Sequence, residues 1–243
     1  TARAFGFTEV EVAGVPATVP PARLRQMLLA QGLKPVSGNW SYDDAAKNLD
    51  KVVTEAKALG VAYVGLGWIP HPKGQNFTEA QALAAGEVFN RAGAALAKEG
   101  IRFFYHPHGY EFVPQGGGRT LFDLLAEKTD PRLVCFEMDI FWAVHGGQDP
   151  VKLMQKYPGR WALMHVKDMR PGTEGNLSGG TDRGNDVVVG SGKIDVRAAL
   201  REGVRQGIKH YFIEDESRNP QAQIPQSLRF LESLSWEALP QKP

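Results

Sequence analysis

The sequence predicts an α/β fold, a (β/α)8 TIM barrel, on three observations. Four short apolar runs, 102–108, 133–139, 162–168 and 211–216, each end in groups that bind metals or move protons. A helix-like stretch separates each run from the next, the order expected when parallel strands alternate with covering helices. The length of 243 residues fits one domain of this type, which typically needs ~250 residues. The expectation is a single domain over 1–243.

The elements follow in order. Thr8 to Ala13 alternates and is rich in Val, as a half-buried strand does. Pro20 to Gln31 reads as a helix stopped by Gly32. Leu33 to Ser37 is a short strand. Asp43 or Asp44 caps a helix whose apolar positions Leu49, Val52, Val53, Ala56 and Leu59 keep helical spacing up to Gly60. Ala62 to Trp68 is a strand, and Thr78 opens a long helix that runs towards Gly100. The His106-Pro107-His108 strand comes next, then a helix over about Thr120 to Lys128 and the strand ending at Asp139. Asp149-Pro150 starts a helix in the capped, Pro-first manner. The His165 strand leads into a loop rich in Gly, Asn and Asp, from Gly172 to Asp186. Asp195 caps a helix ending near Gly207, the Glu214 strand follows, and a last helix spans about Ile224 to Leu234. That makes seven strands. Because Thr1 to Phe7 reads as the end of a helix and its stop, the expectation is that the first barrel strand is missing from the given chain. A genuinely open seven-stranded barrel is the alternative.

Composition narrows the function. The chain is 42% hydrophobic and 23% charged, and its net charge of +1 comes from 28 basic and 27 acidic residues. That balance gives no reason to expect nucleic acid or an anionic membrane as partner. No run approaches the ~18 apolar residues of a membrane span. No leader segment is visible, so the expected compartment is the cytoplasm, with export left open because the chain reads as starting inside a fold. Cys135 is the single cysteine and lies within an apolar run, which suits a small core residue better than a nucleophile.

The chemistry concentrates at strand ends. Alternate residues of a strand share a face, so His106 pairs with His108, Glu137 with Asp139, His165 with Lys167 and Glu214 with Glu216. His106, Asp139, His165 and Glu214 are placed to converge over the barrel mouth as two imidazoles and two carboxylates. A mixed nitrogen and oxygen set suits Mn, Zn, Co or Fe better than Ca. Lys167 is a candidate for holding substrate oxygens or an enolate, with Asp168 orienting it. Glu11 can face the mouth and bind His108 or substrate, and of His106 and His108 one is expected on the metal or its bound water and the other on substrate or a carboxylate such as Glu11 or Glu111. Trp40, Trp68 and Trp142 lie at strand ends, where aromatic faces suit a sugar ring.

These stretches together resemble the sugar phosphate isomerase/epimerase family, whose fold is the xylose isomerase-like TIM barrel. The resemblance runs from Phe5 to about Leu234. It is carried by 6–11, 105–112 (Tyr-His-Pro-His-Gly-Tyr-Glu-Phe), 137–142, 146–150, 164–168, 190–195 and 212–216. It implies one divalent metal (Mn, Zn, Co, Fe or Mg) on Asp139, His165 and Glu214. His106 stands where many members have a glutamate that also serves in acid–base work. It implies an enzyme that isomerises or epimerises a small sugar or polyol by proton transfer beside a carbonyl, through an enediolate. Glu214 would be the base, with His106 or His108 as its counterpart. A lyase that dehydrates a keto-sugar or keto-inositol is the alternative, and a non-catalytic sugar- or metal-binding barrel is a second. A homo-oligomer is an open expectation.

Overall fold

The computed structural model describes residues 2–14, 16, 18–72 and 74–235. Seven strands form one parallel sheet in chain order: β1 (Glu9–Val12), β2 (Lys34–Asn39), β3 (Tyr63–Leu66), β4 (Arg102–Tyr105), β5 (Val134–Asp139), β6 (Trp161–Val166) and β7 (His210–Ile213). The sheet curls into a nearly closed barrel, and all seven strands read from the sequence are present. No backbone pairing joins β7 to β1 among the described residues; a side-chain bond from His210 Nδ1 to Glu9 Oε2, 2.9 Å, spans that seam. A cavity of about 400 Å³ opens beside it, lined in part by Phe5, Phe7, Tyr211 and Phe212.

The helices are α1 (Pro21–Ala30), α2 (Tyr42–Lys47), α3 (Leu49–Leu59), α4 (Glu79–Ala97), α5 (Leu121–Lys128), α6 (Ile140–His145), α7 (Pro150–Lys156), α8 (Val196–Gln206) and α9 (Pro220–Glu232). Three differ from the sequence reading. The helix after β2 is broken at Asn48, and its first half is capped by Ser41, whose hydroxyl accepts from Asp44 N, rather than by Asp43 or Asp44. The last helix begins at Pro220, where a proline at the first position loses no hydrogen bond. Helix α6 was read as strand end and loop; Asp139 caps it, accepting from Trp142 N. The starting segment is a short 3₁₀ turn, Ala2–Phe5, stopped by Gly6 at φ 96°, while Thr1 lies outside the described residues.

The barrel is layered because side chains alternate along each strand. The floor is a small buried apolar cluster containing Phe104, Cys135 and Leu163, with Phe212 packed against it. Two residues further along the same strands come His106, Glu137, His165 and Glu214; two further still come His108, Asp139, Lys167 and Glu216. Apolar floor and polar mouth therefore come from the same faces of β4 to β7. Gly65 on β3 leaves the interior free for the floor, since a Cβ there would lie 2.1 Å from the Phe104 ring. Outside the sheet, α4 packs closely through small residues: a Cβ on Gly93 would meet Leu133 O at 2.5 Å. Cys135 is a floor residue, and burial pushes its thiol up to about 11, so it stays protonated and inert.

Candidate active site

The four predicted metal ligands come together at the mouth. Asp139 Oδ2 lies 3.6 Å from His106 Nε2 and 3.7 Å from His165 Nδ1. His106, Asp139 and His165 each offer one atom within 4.8 Å of the others, and all three are buried. Glu214 approaches this set through His165, its Oε2 3.0 Å from Nδ1. His106 Nε2 and Asp139 Oδ2 are buried without a hydrogen-bond partner. Buried polar atoms left unpaired are rare and call for an occupant, so the donor set fits a divalent cation of the nitrogen- and oxygen-binding type.

The charges are strongly coupled. Burial pulls the His106 imidazole down, but the facing carboxylates of Asp139 and Glu137 outweigh it and hold it up at about 9. Burial opposes His165 in the same way, and Glu137, Glu11 and Glu214 carry it well above the ordinary histidine value. Against its own burial, Asp139 is held well below the usual carboxylate range by Lys167 and the two imidazoles. Glu214 is likewise held low, by His165 and Lys167 against its burial, and is ionised. Lys167 is almost fully buried, yet its ammonium is held above its ordinary value by Asp139, Glu214 and Glu216. Its Nζ lies 3.0 Å from Glu214 Oε2 and 2.5 Å from Glu216 Oε2.

A cavity of about 480 Å³ sits over this cluster, lined by Glu11, Trp40, Trp68, His106, His108 and Glu214 among others. Trp68 and His108 also border a neighbouring cavity of about 270 Å³ that contains Trp142, Lys167 and the loop residues Thr181 to Arg183. Trp40 and Trp68 therefore flank the mouth as the sequence suggested, whereas Trp142 is buried beneath the second cavity. There its ring lies 5.6 Å from Lys167 Nζ.

One expectation is corrected and two are narrowed. Asp168 does not orient Lys167 or face substrate. Fully buried, it accepts from the backbone N–H groups of Met169, Gly190, Gly192 and Ile194, and so pins the loop that follows. Its neighbour Lys167 faces the mouth, so strand alternation sends Asp168 the other way. Glu11 does face the mouth, but its partner is His165 Nε2 at 3.0 Å, with Ser37 and Asn39 donating to the same carboxylate, rather than His108. The His106 and His108 rings stack at 4.5 Å, but Glu111 meets the His108 backbone N–H and not its ring.

That last contact has a physical reason. The chain leaves the sheet at Pro107, which would orphan the buried N–H of His108; Glu111 accepts it at 3.2 Å, and Tyr105 OH donates to the same carboxylate. Tyr110 OH contacts Tyr105 OH at 2.9 Å and accepts from Ile69 N at 2.7 Å, so one buried network fixes the chain on both sides of Trp68 and His108. Burial raises the Glu111 carboxyl from 4.5 to about 6. The folded state then gains a proton before the unfolded chain does as pH falls. Its contribution to stability is greatest below 4.5 and is lost as pH rises to about 6. The difference in unfolding free energy between the wild type and Glu111→Gln is expected to shift against the wild type by about 2 kcal/mol over that interval. Urea unfolding at each pH measures it, and a difference that stays flat with pH contradicts it.

Sequence reasoning gave no role to Glu137, Glu216, Ser37 and Asn39. Glu137 and Glu216 were signalled by alternation with Asp139 and Glu214. Nothing local signalled Ser37 and Asn39, which matter only because β2 pairs with β1 beside Glu11.

Comparisons with known proteins bear on this arrangement. A family model described as a xylose isomerase-like TIM barrel matches residues 1–234. An inosose dehydratase of Geobacillus kaustophilus is 32% identical over 96 residues, covering 40% of this chain and 30% of the relative. One from Clostridium botulinum is 26% identical over 160 residues, covering 62% and 52%. The chain thus aligns with about half or less of these curated relatives. The crystal structure of a sugar phosphate isomerase/epimerase from Parabacteroides distasonis superposes with a TM-score of 0.76 at 26% identity, covering 95% of this chain and 85% of that one. No helix among the described residues is long and apolar enough to cross a membrane.

Proposed function

The chain belongs to the xylose isomerase-like TIM barrel family, and from that premise we propose that it is a metal-dependent lyase that removes water from a small, uncharged keto-polyol. The observation that carries the proposal is the buried His106–Asp139–His165 donor set with an ionised carboxylate, Glu214, beside it on the cavity wall. A divalent ion held by His106, Asp139 and His165 would supply Lewis-acid stabilisation of negative charge developing on a ketone oxygen.

The chain's own residues do the rest. Lys167 keeps Glu214 ionised and ready to accept a proton. Glu214 takes the α-proton and, once protonated, returns it to the departing β-hydroxyl, which leaves as water; one C–H and one C–O bond break and a C=C bond forms. His108 stays neutral, because burial above all pushes it down to about 3. Its Nδ1 faces His106 O at 3.4 Å, so Nδ1 carries the hydrogen and Nε2 is left as an acceptor for a substrate hydroxyl. Trp40 and Trp68 supply ring faces.

Two features favour this substrate class. The curated relatives are inosose dehydratases, which favours water loss over the isomerase or epimerase reading that shares every step up to the enediolate. Among the described residues lining the 480 Å³ cavity there are three carboxylates, Glu11, Asp43 and Glu214, and no lysine or arginine. A phosphate would enter that wall against like charge.

The test incubates the metal-loaded protein with a keto-inositol and with a phosphorylated ketose in D2O. The expected result is a product of the keto-inositol lighter by one water, and slow or no conversion of the phosphorylated ketose. Deuterium uptake without mass loss would favour the isomerase. Neither change, with metal bound, would favour a non-catalytic barrel.

A further inference from the structure

We infer that the cavity of about 270 Å³ beside the metal site is a second substrate subsite, and that Asp186 in its wall holds a ring hydroxyl of the polyol remote from the reacting carbons. The inference rests on the keto-polyol reading above and adds a contact that reading did not use.

The two cavities share walls. Trp68 and His108 line both. Lys167 lines the second, and its Nζ lies 3.8 Å from Asp139 Oδ2. A ligand oxygen at the His106–Asp139–His165 donor set is therefore one side chain away from this space. The loop over it is fixed at three points. A Cβ on Gly175 would lie 2.1 Å from His145 O. A Cβ on Gly179, at φ 69°, would lie 2.7 Å from the Tyr110 ring and 2.8 Å from the Trp68 ring, so the loop backbone rests directly on both. Asp186–Val187 then pairs antiparallel with Asp168–Met169. Asp186 is thus presented from hydrogen-bonded backbone, as a binding group needs to be.

Asp186 is only 5% exposed. Its Oδ2 accepts from Glu216 N at 2.7 Å, which ties the loop to the chain beyond β7. Its Oδ1 accepts from no group among the described residues. Buried polar atoms are seldom left unpaired, and the cavity that Asp186 lines is where a donor can enter. Lys167 does not fill that role, since its ammonium is engaged by Glu214 at 3.0 Å and Glu216 at 2.5 Å. Burial pushes the Asp186 carboxyl up to about 7 against the pull of Lys167. Near neutral pH it then offers a donor as well as an acceptor, which suits a hydroxyl.

The same cavity contains Arg183, an exposed guanidinium, which raises the competing case of an anionic substituent on the substrate. Two features favour the hydroxyl. Asp182, Asp186 and Glu216 also line the cavity, so an anion there would meet three carboxyl groups. An anion would also leave Asp186 Oδ1 without its donor.

The test has a binding arm and a turnover arm, both with the metal-loaded protein. Calorimetry measures binding of inositol, and of inositols lacking one hydroxyl each, to the wild type and to Asp186→Ala. Having no ketone, these ligands bind without reacting. The expected result is that removal of one particular hydroxyl weakens wild-type binding about 10-fold, and that Asp186→Ala binds inositol about 10-fold more weakly with no further loss for that deoxyinositol. With a keto-inositol, Asp186→Ala is expected to raise KM about 10-fold and to change kcat little. The same discrimination in both proteins, none in the wild type, or no binding of inositol would overturn the inference. Tighter binding of a carboxylated cyclitol than of inositol would overturn it in favour of an anion at Arg183. A wild-type crystal soaked with inositol needs no variant: a hydroxyl within hydrogen-bond distance of Asp186 Oδ1 is expected, and inositol bound elsewhere in the mouth would contradict it. Discrimination through Asp186 without water loss from the keto-inositol would sink the lyase proposal and leave the subsite standing; water loss without discrimination would do the reverse.

Discussion

Asp139→Asn is expected to strip the protein of its metal and to lower turnover by at least about 10³-fold, the equivalent of several kcal/mol of lost charge stabilisation. Asp139 Oδ2 is the one atom that faces His106, His165 and Lys167 together, at 3.6, 3.7 and 3.8 Å. The asparagine keeps an oxygen for the Trp142 N–H that starts α6, so the helix cap survives and the loss is one of charge. Metal content after dialysis and kcat at saturating substrate give the two readouts. A variant that retains full metal and rate would remove Asp139 from the site.

Glu214→Gln should separate chemistry from binding. If Glu214 carries the proton, kcat falls by about 10²–10⁴-fold, the range for a lost acid–base group, while metal content stays near that of the wild type. If metal is lost as well, Glu214 is the fourth ligand that the sequence resemblance implied. An unchanged kcat would contradict the mechanism. Glu214 side-chain exposure of 35%, against 0% for Glu137 and Asp139, is why it is the carboxylate of the cluster open to substrate.

The fold was legible because barrel strands announce themselves twice. Runs such as Leu133 to Asp139 are apolar through the sheet and polar at one end, and capping signals such as Thr78 with Gln81 mark the helices between. The convergence of His106, Asp139, His165 and Glu214 was legible for the same reason, since parallel strands in order bring their ends to one rim. Side-chain direction at points where the chain leaves the sheet was not. Asp168 looked like a partner of Lys167, yet adjacent residues on a strand face opposite ways, and its carboxylate serves the Gly190 to Ile194 loop. Helix α6 was hidden because Ile140 to His145 is apolar on every side, being buried between the barrel and the following loop. Glu137 was visible as a residue, but its approach to both His106 and His165 was not. It depends on His106 and His165 arriving from two different strands.

Anomalous diffraction from a metal-loaded crystal addresses the central claim most directly. The account predicts one strong peak bounded by His106 Nε2, Asp139 Oδ2 and His165 Nδ1, at roughly 2.0–2.2 Å from each for a zinc-like ion. A peak between Glu11, Glu137 and His165 Nε2, or no peak at the barrel mouth, would contradict it.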